Sequence, residues 1–242
     1  MPRNFHTGAI RRLTRSLDAA FMVTQGSGPV SGTLGRMPLS LTEALEASRT
    51  GDLWIFRGTS RADRAIRAVT NAPVNHVGMA VVLEDLPPLM WHAELGRSLP
   101  DVWTGGHHPG VQLHDLGDAV HRWRDRYHQR AWLRQLSPEV GREAEDSLLR
   151  TIARLDGVSF PSTGRLAWRW LSGRFADWRL PGGGAPTPTA AFCAEVVAVT
   201  YQEMGILPTD RPSNWYDPGS FWSGDVLELN PGWRLGEEIA VD

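Results

Sequence analysis

The chain has 242 residues, 41% of them hydrophobic and 21% charged, the balance of a globular protein whose core needs no disulfide or metal staples. Its 25 basic and 27 acidic side chains give a formal net charge of -2, without the positive footprint of a dedicated nucleic-acid binder. Every basic residue is arginine, and the absence of lysine excludes a Walker phosphate loop and Schiff-base chemistry alike.

Residues 1–40 are polar, glycine-dotted and aperiodic, and read as a flexible arm ahead of a single domain over 41–242. The arm starts basic (Arg3, Arg11, Arg12, Arg15), which suits at most a weak membrane-surface contact. The apolar run after it, Ala19 to Val23, is shorter than a signal-peptide core of roughly 7 to 15 residues. With one cysteine in the chain there is no intramolecular disulfide, and a cytoplasmic location is expected.

A short helix is predicted at Leu41–Ser48, capped by Ser40 or Thr42, followed by a strand at Asp52–Arg57 and a basic amphipathic helix at Arg61–Val69. Asn75–Leu83 and Leu89–Leu95 read as two strands close enough to pair as a hairpin. Gly110–His114 and Ala131–Leu136 are further strand candidates, separated by an arginine-rich stretch (Arg122, Arg124, Arg126, Arg130). From Pro138 to Leu155 the apolar residues Val140, Ala144, Leu148, Ile152 and Leu155 recur at helical spacing. A tryptophan-containing helix is expected at Leu166–Phe175. The breaker Pro181–Pro188, read as framing a cleft, leads into a helix at Ala190–Met204 that Gly205 closes. A last strand is predicted at Val226–Leu229.

Cys193 is predicted to fall in the first turn or so of its helix, where unpaired backbone N–H groups and the helix dipole stabilise a thiolate. The same residue type also packs commonly as a small buried hydrophobe. A thiol nucleophile needs a base, and His76 opens a strand whose alternation sets His76, Gly78 and Ala80 on one face and Val77, Met79 and Val81 on the other. Gly78 leaves room there for a backbone or a substrate. On the next strand His92 and Glu94 share a face, and either can orient His76 across the hairpin, His92 being preferred. Trp91, Trp103, Trp215 and Trp222 are candidates for lining an apolar groove. No HExxH helix or paired-cysteine spacing marks a zinc site, no GxSxG elbow marks a serine nucleophile, and no cofactor is expected.

These residues carry a family resemblance. Gly51–Leu53 (GDL), the basic helix Arg61–Val69, His76–Gly78 (HVG) and Phe192–Val197 (FCAEVV) stand in the order of the circularly permuted papain-like cysteine hydrolases, the branch of the NlpC-type superfamily with the lecithin-retinol acyltransferase relatives. The likeness runs from about residue 42 to the C-terminus. It implies an α+β fold, an antiparallel sheet packed against helices, with the nucleophile helix towards the C-terminus. It further implies Cys193 as nucleophile, His76 as general base and a polar residue of the following strand as orienting group. The expectation is a cysteine-dependent acyl-transfer enzyme acting on an amide, peptide, ester or thioester through a thioester, with one oxyanion donor at the Cys193 N–H and a second near Asn75. The alternative is an inert binding or scaffold module that keeps the fold.

Overall fold

A computed structural model describes residues 37–158, 188–224 and 227–242. Most of the N-terminal arm, the helix expected at Leu166–Phe175 and the breaker as far as residue 187 lie outside the described residues. Within them the chain is α+β, an antiparallel sheet with helices on both faces.

Local sequence accounts for the first elements. Helix α1 (Leu41–Ala47) begins at a capping box in which the Ser40 hydroxyl accepts from the Glu43 N–H and the Glu43 carboxylate accepts from the Ser40 N–H. Helix α2 (Arg61–Thr70) repeats the device with Ser60 and Asp63, and Asn71 closes it in the left-handed conformation. Between them lies β1 (Leu53–Arg57), entered through Gly51, whose φ of 91° is one that a side chain rarely tolerates.

Strands β2 (His76–Val81), β3 (Leu89–Glu94) and β4 (Gly110–Asp115) follow, and later β5 (Arg130–Arg134) and β8 (Ile239–Val241). They form one six-stranded sheet in the order β4-β3-β2-β1-β5-β8, antiparallel throughout. Both faces are covered. Leu53, Ile55, Val77, Met79, Trp91 and Ala93 face the core beneath the C-terminal helix α5 (Pro188–Glu203), which α4 (Arg142–Leu155) joins through Leu148 and Ile152. Trp54, Phe56, Ala80 and Met90 face a second core closed by α1 and α3 (Leu116–His121). Double burial explains why β1 reads as an unbroken apolar run instead of alternating.

Helix α5 is buried from Phe192 to Ala198, the property of a central helix without a solvent face. Among the hydrogen bonds that tie it to the rest, Trp91 Nε1 donates to Thr200 Oγ1 at 3.0 Å and the Tyr201 hydroxyl donates to the Gly51 carbonyl at 2.5 Å.

Three elements depart from expectation. The arginine-rich stretch, to which sequence assigns no element, is helical as far as Arg126, as α3 runs into a π-helical turn at Arg122–Arg126, and Arg130 opens β5. Leu116, Ala119, Val120 and Trp123 are buried there at helical spacing, a pattern that the surrounding arginines and histidines hide. Leu227–Leu229 forms no strand; β8 at the C-terminus does so instead, because β5 offers it a free edge. Leu39, the end of the expected arm, bridges to Val241, and a small two-stranded ladder joins β6 (Leu136–Ser137) to β7 (Arg234–Leu235). Among the described residues no helix is long and apolar enough to cross a membrane.

Candidate active site

Strand β2 delivers His76 at its first position, opposite Phe56 of β1. Its ring lies on the Phe56 face of the sheet, with Trp123 of the π-helical turn at 4.8 Å between centroids. There His76 Nε2 meets His92 Nδ1 at 3.2 Å, His92 Nε2 meets His114 Nδ1 at 3.0 Å, and His114 Nε2 meets Gln112 Oε1 at 3.1 Å. Four polar side chains from three neighbouring strands thus form one continuous chain. Strand parity builds it, since His92 pairs with Gln112 and Met90 with His114 in the β3–β4 ladder, which puts all of them on one face.

His92 reaches His76 diagonally, over Gly78. A Cβ at residue 78 would lie 2.9 Å from Met90 Sδ and 3.2 Å from His92 Cβ, so the space that glycine leaves is filled by these two side chains and not by a substrate. Glu94, the other orienting candidate, instead accepts from the Gly96 N–H at 3.1 Å, and burial raises its pKa.

Cys193 sits elsewhere. Helix α5 starts at Pro188, two residues earlier than expected, because proline needs no N–H partner in a first turn. Cys193 therefore lies in the second turn, beyond the four orphan N–H groups that a first-turn thiol would use. Its side chain is fully buried in the core under α5, on the Val77 side of β2, the face opposite to His76. The two residues are neighbours through one strand, since the Val77 backbone N–H adjoins the Cys193 thiol.

Electrostatics follow from this burial. Desolvation pushes the Cys193 thiol up to about 12 and the Asp217 carboxylate adds to the rise, against the N–H groups of Val77, Ala194 and Cys193 itself. Desolvation lowers His76 to about 3, with a further push from His114, and His114 to about 4. His92 is lowered by burial and by both ring neighbours. All three imidazoles are therefore neutral at pH 7.

Sequence reasoning named His76 and His92 and missed Gln112, His114 and Trp123. The parity of GVQLH, with Gln112 and His114 two apart, was the available signal. Asn75, near which a second oxyanion donor was expected, is engaged within the fold: its N–H donates to Phe56 O, its Oδ1 accepts from the Gly58 N–H and its Nδ2 donates to Asp63. Of the groove tryptophans, Trp91 is fully buried core, Trp222 packs edge-on against Trp132, and Trp103 is 69% exposed. Among the described residues no group of three His, Cys, Asp or Glu side chains is placed to hold a metal ion.

No protein-family model matches the chain, and no curated protein does. Among solved structures it is similar to the metalloprotein YiiX (DUF1105) of Escherichia coli O157:H7, at 19% identity and a TM-score of 0.42, over 65% of this chain and 66% of that one.

Proposed function

We propose that the chain is a cysteine-dependent acyl-transfer enzyme on a circularly permuted papain-like scaffold, with Cys193 as nucleophile, His76 as base and His92 as the group that orients it. The observation that carries this reading is the His76–His92 hydrogen bond at the start of β2, one peptide unit from the Cys193 sulfur. A base held by a second side chain is one part of what nucleophilic catalysis requires; the other is a thiol within hydrogen-bond reach of that base, which this reading obtains from a shift of α5.

In the reaction, the thiol proton passes to an imidazole nitrogen of His76 as the sulfur attacks the acyl carbonyl. Collapse of the tetrahedral adduct expels the amine or alcohol, which takes that proton, and leaves a thioester on Cys193. Water, or an acceptor amine or alcohol, then attacks the thioester and returns the sulfur to the thiol. In this reading the described state would be the resting one, with thiol and imidazole both neutral and on opposite sides of a strand. Turnover in this reading includes a shift of the first turns of α5 that brings sulfur and ring to the same side.

A second reading, an inert binding module, is favoured by the complete burial of Cys193 beside Asp217. Labelling of the native full chain with peptide and ester electrophiles separates the two. The enzyme reading expects Cys193 to be labelled well below the unfolding temperature, with loss in Cys193→Ala and a drop of about 100-fold or more in His76→Ala, the scale of a general-base contribution. Labelling that tracks global unfolding, or a fully active Cys193→Ala protein in an amide and ester panel, overturns it.

A further inference from the structure

We infer that Gln112 fixes the tautomer of His76 through His114 and His92, leaving Nδ1 of His76 as its unprotonated nitrogen. Gln112 is fully buried, and its amide nitrogen lies 3.2 Å from the Glu94 carbonyl and 3.3 Å from the Gly110 carbonyl. Two backbone carbonyls only accept, so the NH₂ group must face them; the flipped amide would set oxygen against oxygen twice. Gln112 Oε1 is thereby turned onto His114 Nε2, which has to be the donor.

A neutral imidazole carries one N–H, and the rest follows by elimination. His114 Nδ1 is bare and accepts from His92 Nε2; His92 Nδ1 is then bare and accepts from His76 Nε2. His76 keeps its proton on Nε2. Reversing the polarity at any link would leave two lone pairs or two N–H groups facing each other inside the core, at a cost of about 1–3 kcal/mol per orphaned group. Trp123 holds the geometry, its ring standing edge-on to His76 and to His92 at 4.8 and 4.9 Å. Burial keeps the three rings neutral, as the elimination requires.

The functional consequence rests on the reading of His76 as base. A base must present a bare nitrogen, and Gln112, a residue remote from the reacting atoms, selects which one. Gln112 is thus a positioning residue.

Long-range 1H–15N correlation spectra of the full chain near pH 7, with rings assigned from His76→Gln, His92→Gln and His114→Gln, test this without any substrate. The expected result is the Nε2–H tautomer at all three rings. Gln112→Met should give a mixed or reversed tautomer at His76. An Nδ1–H tautomer at His76 in the wild type, or wild-type tautomers in folded Gln112→Met, overturns the inference. Because these spectra need no turnover, a fully active Cys193→Ala protein would sink the acyl-transfer reading and leave the tautomer result standing.

Discussion

At the scale of single residues, three buried imidazoles make folding sensitive to acid. His76, His92 and His114 have folded-state pKa values below the usual 6.5, His114 at about 4 and His76 at about 3. As pH falls below about 6.5 the unfolded chain takes up protons that the folded chain refuses, so stability present at neutral pH drains away through this window. Asp52 acts in the opposite sense, because burial raises it to about 6 and the folded state gains protons there first. Burial raises Glu94 and Asp156 in the same sense as Asp52, but the three fully or largely buried rings shift further, and the expected net result is a thermal midpoint that drops between about pH 6.5 and about pH 4. His114→Gln should flatten that slope. A midpoint that holds level across the window would contradict the buried neutral chain.

At the scale of elements, close packing between strands is the sensitive feature. Gly78→Ala sets a methyl group within 3.2 Å of both Met90 and His92, so it overpacks the layer in which His92 reaches His76. A loss of about 1–3 kcal/mol is expected, read as a fall in the urea midpoint at unchanged slope. A neutral substitution would mean that Met90 gives way freely. The helix starts, by contrast, depend on neighbours three residues apart, as in the Ser40–Glu43 and Ser60–Asp63 boxes, and Ser40 is one of the two cap candidates that sequence names. The start of α5 was less readable, because proline at 188 is compatible with a loop and with a first turn.

At the scale of the whole molecule, the central helix is held in place by apolar burial and by specific hydrogen bonds, among them Trp91 to Thr200 and Tyr201 to Gly51. Tyr201→Phe removes the hydroxyl that reaches the Gly51 carbonyl across 150 positions of sequence and leaves that carbonyl without this donor. The expected cost is about 1–3 kcal/mol of global stability, with amide protons of α5 exchanging faster by the same free energy. Exchange that speeds up only near Gly51 would show that the contact is local and does not anchor the helix.

Local sequence was enough for the first five strands to within a residue or two at most of their ends, for Ser40 as one of two cap candidates of α1, and for naming His76 and His92 as candidates. All of these depend on periodicities and spacings within a dozen residues. The side-chain parity of β2 and β3 was likewise readable, since alternation is a local property. Register and layering were left to the three-dimensional packing. It aligns His92 with Gln112 across β3 and β4 and so completes a chain ending on two carbonyls. It also sets α5 on the Val77 face, which puts Cys193 across the strand from the histidine that precedes it by more than a hundred positions. Which face of a doubly covered sheet a distant helix takes is fixed by the volumes of two cores at once, and no short stretch of sequence holds that information.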